Sequence, residues 1–408
     1  MRNDFSKELN RLLWGDFKDA YRGYSSQAFI IWCFLKYCLD KNICEPTKEG
    51  FENLSNIKSD FYNHRIDAEK IDIWFTGIDK EYNQNNLLSR FASFFKDGVK
   101  YHDSIISVIS RFDFAANPEE TMELVKSGLY FFQSSLAGRY STSTTSIGIS
   151  KIAAGILDVN EKDIFMDFCV GSGLSTLEIV KDKNTEIRVA DINVEARALA
   201  LMLFIMNGYK NFTIESFENQ KPYKVTKLFS DLPVTPDGEK ISAATKYHAE
   251  FLIRAKNALD ENGVAVLVVP GKYLFSSMDA IRYSRDVLLV EQCLDSVIAL
   301  PFTFEGTSLT ANLIVLRKNA SRPLFIDASR FNTTFADIDS IVSLYKDREE
   351  VNGVSKIVSK EDILANGTSF SPARYAMKVV VVDVDKELEE TQKQLDEAMN
   401  RLNHLLNK

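Results

Sequence analysis

The stretch Asp167-Phe168-Cys169-Val170-Gly171-Ser172-Gly173 decides the fold of this chain. It follows the apolar run Ile164–Met166 and precedes a segment, Ser175–Val180, that predicts a helix. Glycines at such a turn let the backbone approach a ligand closely, and the amides that open the helix can donate hydrogen bonds to it. Thr176 stands where a nicotinamide-binding Gly-x-Gly-x-x-Gly turn has its third glycine. The stretch therefore predicts a ligand-binding turn of another kind.

A second acidic residue strengthens this prediction. The next apolar run, Ile187–Ala190, ends in Asp191, about 20 residues after the glycines. In a nucleoside-binding βαβ unit, a carboxylate at this place accepts hydrogen bonds from ribose hydroxyls. A Gly-x-Gly turn alone also occurs in α/β proteins without a ligand, but the ordered set is far more specific. The candidate cofactor residues are Asp167, Cys169, Gly171, Gly173, Asp191 and Asn193.

From residue 160 onward, short apolar runs alternate with helical patterns. Val264–Val269 is a continuous apolar run, and later strands are expected near Leu294–Leu300 and Ala311–Leu316. Continuous apolar strands between helices indicate a parallel sheet covered on both faces. The predicted fold class is α/β with a Rossmann-like domain.

Four regions are predicted along the chain. Residues 1–135 show helical spacing of apolar residues, and a Ser/Thr-rich stretch at 141–146 separates them from the α/β pattern. The α/β domain is expected at 136–330, a C-terminal extension at 331–385, and a coiled-coil-like helix at 386–408.

The final helix carries a possible partner-binding seam. Apolar and small residues recur at a spacing of three and four, which is the pattern of a coiled-coil seam. The alternative is a solvated terminal helix that packs on its own domain. The residues of the seam are Leu388, Thr391, Leu395, Ala398, Leu402 and Leu405.

Composition and charge narrow the class of protein. The 408 residues are 45% hydrophobic and 26% charged, as in an ordinary globular protein. No run reaches the roughly 18 apolar residues of a membrane span, and the N-terminus lacks the apolar segment of a signal peptide, so we expect a cytoplasmic protein without membrane contact.

Five cysteines without a C-x-x-C pair and four histidines argue against a disulfide framework and a metal site. A net charge of −8 means that work on a nucleic acid needs a local basic face or a basic partner.

A third motif, Ser230-Asp231-Leu232-Pro233-Val234, resembles the Asn/Asp-Pro-Pro-aromatic loop of enzymes that methylate the N6 amino group of adenine. The lone pair of that nitrogen is delocalised into the ring. A side-chain oxygen and a backbone carbonyl of the loop accept its two hydrogens, and the aromatic residue stacks on a base that has left the duplex. The candidate catalytic residues are Asp231, Leu232, Pro233 and Val234.

Further segments resemble the modification (M) subunit of type I restriction–modification systems over nearly the whole chain. Phe34-Leu35-Lys36-Tyr37 resembles part of the helical-domain signature of that family. Ala299-Leu300-Pro301 resembles a segment in the downstream half of that family's sequence, and Ser371-Pro372-Ala373-Arg374-Tyr375 resembles the family's C-terminal signature. The number and order of these segments are specific, although no single one is.

The resemblance implies a methyltransferase fold, a cofactor and partners. The domain would bind S-adenosyl-L-methionine and transfer its methyl group to adenine N6 in DNA, as part of a restriction–modification complex that defends against phage. Glu215 and Thr145 would join the cofactor residues, at positions matching the family's Asp-Thr and Phe-Tyr-Thr-Pro segments. The expected partners are DNA, a specificity (S) subunit held by the C-terminal helix, a restriction (R) subunit and a second M subunit.

The chain departs from the family pattern at the base-binding loop. The family loop reads Asn-Pro-Pro-Phe, and three of its four positions differ here. Val234 cannot stack on a base, an interaction of roughly 1–3 kcal/mol, so its presence predicts a loss of about tenfold to a hundredfold in activity. Leu232 in place of the first proline loosens the turn. Ser146 stands where proline is expected after Thr145.

Two other functions remain open from the sequence. The first is a catalytically weak or inactive methyltransferase-like scaffold that binds cofactor, DNA or partner proteins. The second is a methyltransferase that acts on protein or RNA, because related loops also serve glutamine or guanine amino groups. The N- and C-terminal segments give that second alternative no support.

Overall fold

A computed structural model gives the three-dimensional structure of the chain. It describes residues 9, 11–12, 15–16, 18–21, 24–136, 145–182, 184–219, 223–232, 241–304, 308–320, 322–377 and 384–406. Most of the Ser/Thr-rich stretch, residues 141–144, lies outside the described residues.

Helices make up the regular structure of the N-terminal region, as its apolar spacing predicts. The first long helix is buried along almost its whole circumference, which is typical of a helix at the centre of a helical core. Thr47 and Asp67 cap the next two helices by accepting hydrogen bonds from backbone amides of the first turn. The helices of eight or more residues are α1 (Ser25–Lys41), α2 (Lys48–Tyr62), α3 (Ala68–Glu81), α4 (His102–Ile109), α5 (Pro118–Leu136) and the 3-10 helix Ser89–Lys96, and short helical turns lie at Lys18–Ala20 and Val99–Tyr101.

A buried ion pair fastens this helical region together. The Lys36 ammonium lies 2.6 Å from both carboxylate oxygens of Asp40, one turn along α1, and donates to the Phe112 carbonyl at 2.6 Å. The Asp40 carboxylate also accepts from the Phe114 amide at 3.1 Å. Both charged side chains are almost fully buried, and each neutralises the charge of the other. Their hydrogen bonds to Phe112 and Phe114 also hold the segment that leads into α5.

A nine-stranded sheet forms the rest of the core, with the order β3-β2-β1-β4-β5-β7-β6-β8-β9. The first five strands in that order are parallel, and β7 runs antiparallel to both of its neighbours. The strands are β1 (Ile164–Asp167), β2 (Glu186–Asp191), β3 (Phe212–Ser216), β4 (Val225–Asp231), β5 (Leu259–Pro270), β6 (Leu294–Thr303), β7 (Thr310–Arg317), β8 (Leu324–Asp327) and β9 (Ser355–Ile357).

Helices cover both faces of this sheet. The helices after the N-terminal region are α6 (Ile147–Leu157), α7 (Leu174–Ile179), α8 (Val194–Met206), α9 (Ile241–Ala258), α10 (Gly271–Phe275), α11 (Asp279–Val290), α12 (Phe335–Asp347), α13 (Lys360–Ala365) and α14 (Pro372–Tyr375), followed by the exposed helix α15 (Val384–Leu406). The predicted α/β class is confirmed.

The sequence of strand β5 is continuously apolar because this strand is buried on both faces of the sheet. Val266 and Val268 belong to the hydrophobic cluster on one face of the sheet, whereas Leu267 and Val269 belong to the cluster on the other. Successive side chains of a strand point to opposite faces, so a strand buried on both sides needs apolar residues at every position.

The sheet continues beyond residue 330, the predicted end of the methyltransferase domain. Strand β9 pairs with β8, and the Tyr375 ring packs on Phe325 with ring centres 4.6 Å apart. The buried Arg285 guanidinium donates to the carbonyls of Tyr273, Ser276 and Thr368, which ties the C-terminal segment to α10 and α11. The predicted extension at 331–385 thus contributes to the core as far as it is described.

The strand order reverses between β1 and β4. The chain moves outward from β1 to β2 and β3 on one side, then returns to β4 and β5 on the other. In open α/β sheets such a reversal leaves a crevice beyond the carboxyl ends of the two central strands, and ligands bind there. Asp167 and Asp231 are the last residues of these two strands.

In the C-terminal helix α15, the described side chains of the predicted seam are exposed, and the Leu405 side chain lies outside the described part. Leu388, Leu395 and Leu402 are each more than half exposed, as is Met399. Among the described residues, no helix is long and apolar enough to cross a membrane.

Replacement of Lys36 by methionine tests the buried ion pair. We expect Lys36→Met to lower the free energy of unfolding by about 3–5 kcal/mol, because the Asp40 carboxylate stays buried without its counter-charge. The matched control is Lys48→Met, which removes a lysine of similar spacing from an exposed pair with Glu52 and should change stability by less than about 0.5 kcal/mol. Chemical denaturation measures both, and equal effects would contradict the proposed importance of the buried pair.

Candidate cofactor and catalytic site

Three carboxyl groups meet at the carboxyl edge of the sheet. Asp167, Asp191 and Asp231 end the adjacent strands β1, β2 and β4. The Cys169 thiol lies within electrostatic reach of all three. Burial first, and then these negative charges, raise the pKa of that thiol well above its ordinary value, so it stays protonated and poorly nucleophilic.

The Asp167 carboxyl fixes the turn that follows β1. One of its oxygens accepts from the Cys169 amide and from the Ser230 hydroxyl, both at 3.0 Å, and the other accepts from the Thr176 hydroxyl at 3.2 Å. Burial raises its pKa to about 7, and the nearby Asp191 charge acts in the same direction, while the three hydrogen bonds act against them. This side chain therefore joins β1, β4 and α7 around the turn.

The glycine turn adopts the backbone that only glycine enters readily. Gly171 has φ of 53° and Gly173 has φ of 87°. A Cβ atom at Gly173 would lie 3.2 Å from the Ala200 Cα atom of α8, so the glycine also permits close packing of that helix. Between them, the Ser172 hydroxyl is buried without a hydrogen-bond partner among the described residues. A buried hydroxyl of this kind calls for a polar partner, which a bound nucleoside cofactor can supply.

Asp191 connects the turn to the next strand. One carboxylate oxygen accepts from the Gly171 amide at 3.0 Å, and the other accepts from the Asn193 amide at 2.8 Å. Burial raises its pKa, whereas these hydrogen bonds and Arg197 oppose the rise. Each carboxylate oxygen has a second lone pair, so the group can hold the turn and still accept from a ribose hydroxyl.

The predicted cofactor residues Asn193 and Glu215 have different surroundings. The Asn193 side chain caps α8 by accepting from the Glu195 and Ala196 amides at 2.8 and 3.4 Å. Glu215 lies on β3 opposite Ala190, and its carboxylate accepts from the Tyr223 hydroxyl at 3.5 Å. Asn193 thus orients the start of α8 beside Asp191, while Glu215 lies one strand further out.

An aromatic stack lies beside the turn and was not identified from the sequence. The Phe217 ring stacks on Phe251 with ring centres 4.8 Å apart, and Phe168 packs edge-on against both at 6.1 Å. The Arg254 guanidinium lies 4.1 Å from the centre of the Phe217 ring. Two features of the sequence point to this aromatic stack. Phe168 lies within the first motif, and Phe251 and Arg254 are three residues apart on α9.

Asp231 and Thr145 come together across 86 positions of the sequence. The half-buried Asp231 carboxyl has a pKa raised to about 7 by burial, and a hydrogen bond from the Thr145 hydroxyl opposes this rise. Leu232 is fully buried in the apolar cluster on one face of the sheet. Pro233 and Val234 lie outside the described residues. The arrangement therefore places an acceptor carboxyl next to the turn expected to hold the cofactor.

A parallel sheet with a glycine turn and an acidic strand end at its switch point defines an α/β protein of the nucleoside-binding class. Residues 216–383 match the family model described as N-6 DNA Methylase. The match agrees with the methyltransferase family that the sequence resembles, and S-adenosyl-L-methionine is the methyl donor of such enzymes.

Solved structures share this fold. A methyltransferase subunit of a type I restriction-modification system from Streptococcus thermophilus is 18% identical, with a TM-score of 0.68 over 91% of this chain and 99% of that one. A chain from a study of complex assembly in a type I restriction-modification system is 13% identical, with a TM-score of 0.67 over 100% of this chain and 99% of that one. At these identities the likeness supports the fold, including the helical N-terminal region.

The Asp191 carboxylate offers the most direct test of the cofactor site. We expect Asp191→Ala to weaken the binding of S-adenosyl-L-methionine by roughly 1.5–3 kcal/mol, because a ribose hydroxyl loses a charged acceptor. This corresponds to a rise of about 10- to 150-fold in Kd, measured by calorimetry. Asp339→Ala on the exposed face of α12 is the control and should leave Kd unchanged. Equal affinities in both variants would show that Asp191 does not contact the cofactor.

Proposed function

We propose that this chain is the modification subunit of a type I restriction–modification complex, and that it transfers the methyl group of S-adenosyl-L-methionine to N6 of adenine in DNA. The observation that carries the proposal is the position of Asp231. It ends β4 directly beside β1 and its glycine turn, in a chain whose residues 216–383 match the N-6 DNA methylase family.

The glycine turn and Asp191 would hold the cofactor. The backbone at Gly171 and Gly173 leaves room for a close approach, the Ser172 hydroxyl can accept or donate a hydrogen bond, and Asp191 would accept from the ribose. When bound, S-adenosyl-L-methionine supplies a methyl group activated by a positively charged sulfur.

Asp231 would prepare the attacking nitrogen. Its carboxylate accepts one hydrogen of the adenine amino group, and the Leu232 carbonyl is the second acceptor implied by the family loop. Both interactions would draw the lone pair out of conjugation with the ring and so prepare the nitrogen to take the methyl group that the bound cofactor would supply. The methylated nitrogen would then lose one proton to water. Only the ionised carboxyl is acceptor-only, so its protonation state matters for the reaction.

The proposed enzyme works together with partner subunits. The net charge of −8 is unfavourable for solitary DNA binding, which fits a complex in which an S subunit reads the sequence. The exposed apolar seam of α15 is a surface that such a subunit can cover. A second M subunit and an R subunit belong to the same proposal.

A second function, a methyltransferase-like scaffold, is favoured by the departures at Leu232 and Val234. Such a subunit would bind cofactor, DNA or partner proteins without transferring the methyl group. The changes affect the base-binding loop, whereas Gly171, Gly173 and Asp191 keep the geometry of a cofactor site.

A methylation map of the native genome distinguishes these two functions. We expect long-read sequencing to find N6-methyladenine at a split, two-part motif, and deletion of this gene to remove it. Restoration by the wild-type gene but not by an Asp231→Ala gene is the control for the proposed acceptor. An unchanged map on deletion, with the subunit and its partner expressed, would exclude the methyltransferase at this locus and favour the scaffold.

Substitution in α15 tests the proposed partner surface. We expect Leu395→Asp to abolish copurification with the S subunit, because it places a charge in the apolar seam. Asn400→Asp adds the same charge away from the seam on the same exposed helix and should copurify as the wild type does. Retained binding by Leu395→Asp would show that the seam is not the docking surface.

A further inference from the structure

The side chain of Arg197 closes the turn that follows β2. Its Nη1 atom donates to the backbone carbonyl of Asp191 at 2.6 Å and to that of Ile192 at 3.2 Å. The first carbonyl belongs to the last residue of β2, and the second belongs to the residue before Asn193, the cap of α8. One nitrogen therefore holds both carbonyls of the turn that carries the proposed ribose acceptor.

Backbone amides hold the side chain of the same turn. The Gly171 amide donates to one carboxylate oxygen of Asp191 at 3.0 Å, and the Asn193 amide donates to the other at 2.8 Å. The Val170 amide also donates to the Ala190 carbonyl at 3.1 Å, which joins the glycine turn to β2. With the guanidinium on its carbonyls, this turn is held at both its backbone and its acidic side chain.

Hydrogen bonds are the main restraint on this turn. The Asp191 side chain is half-buried, and the side chains of Ile192 and Asn193 are exposed. The Ile192 side chain, at 72% exposed, contributes little apolar packing that could anchor the backbone. The geometry of the turn therefore depends on the amides and on the guanidinium of Arg197.

A positive charge at this place in a helix needs a local reason. Arg197 is the fourth residue of α8, close to the helix end that carries a partial positive charge, where a cation is electrostatically unfavourable. Burial lowers the pKa of its guanidinium, and the Asp191 charge opposes this change. The two carbonyl bonds and the nearby carboxylate compensate for both unfavourable effects.

We propose that Arg197 is a positioning residue for S-adenosyl-L-methionine, which holds the backbone of this turn so that the Asp191 carboxylate is oriented toward the ribose hydroxyls before the cofactor binds. This role rests on the proposed function, since it acts through Asp191. A site that is already in its binding geometry binds more tightly, because less conformational freedom is lost on binding.

Replacement of Arg197 by methionine in the full-length chain tests this role. Methionine keeps an unbranched side chain of similar helix propensity and removes the donor. We expect Arg197→Met to raise the Kd for S-adenosyl-L-methionine by about tenfold, measured by calorimetry. Arg197→Lys should bind the cofactor more tightly than Arg197→Met, because one ammonium can donate to both carbonyls as Nη1 does. A wild-type Kd in Arg197→Met would overturn the role.

A double-variant cycle separates positioning from a general loss of stability. In a chain that already carries Asp191→Ala, Arg197→Met should change Kd by less than about twofold, because no carboxylate remains to be oriented. Equal effects of Arg197→Met in both backgrounds would overturn the role.

Arg348→Met is the matched control for the loss of a half-buried arginine. The Arg348 guanidinium donates to the Asp295 carboxylate at 3.0 Å and to the Arg322 carbonyl, near the amino ends of β6 and β8 and away from the reaction edge. Arg348→Met should lower the melting temperature and leave Kd unchanged. A rise in Kd as large as that of Arg197→Met would show that lost stability alone explains the effect, and would overturn the role.

Methyl transfer by the complete complex gives a second readout. Arg197→Met should raise the KM for S-adenosyl-L-methionine by about tenfold and leave kcat at saturating cofactor within about twofold, since the turn acts on binding. A tenfold fall in kcat with unchanged KM would overturn the positioning role. A complex that binds the cofactor but transfers no methyl group would overturn the proposed function alone, and calorimetry would still decide the role of Arg197. A wild-type chain that does not bind the cofactor would overturn both.

Discussion

The buried carboxyl of Asp167 is the constraint on which the reaction edge depends. Its two oxygens accept from a backbone amide of the glycine turn, from a hydroxyl on β4 and from a hydroxyl on α7. A carboxyl so buried loses much of its hydration, and these three donors compensate for that loss. The donors belong to separate elements, so satisfying one side chain also fixes the distance between the cofactor turn and the strand that carries Asp231.

This arrangement concentrates acidic groups where the proposed chemistry needs an acceptor. Burial raises the pKa of Asp167 and of Asp231 to about 7. The family loop has an asparagine where this chain has Asp231, and an amide accepts hydrogen bonds at any pH. A carboxyl at that position is the stronger acceptor when ionised, but it introduces a titration that an amide avoids.

The local elements were predictable, whereas contacts between distant elements were not. The apolar run Ile164–Met166 predicts a strand, which is observed at Ile164–Asp167, and the helix expected at 175–180 occurs at Leu174–Ile179. Both follow from residues near one another in the sequence. The Phe217–Phe251 stack and the Thr145 contact join segments far apart, and no local pattern encodes them. Strand β9 is only three residues long and is set by pairing with β8, so its sequence carries almost no strand signal.

Helix α8 belongs to both halves of the molecule. Its first turn is capped by Asn193 beside the Asp191 carboxylate, and the carbonyl of Ile205 near its other end accepts from the Tyr37 hydroxyl of α1 at 3.0 Å. One rigid rod of 13 residues thus spans from the proposed ribose acceptor to the centre of the helical region. A ligand held at the first end would stabilise the state in which this helix is folded. We therefore expect cofactor binding to raise the stability of the helical region, which contacts the other end of the same helix.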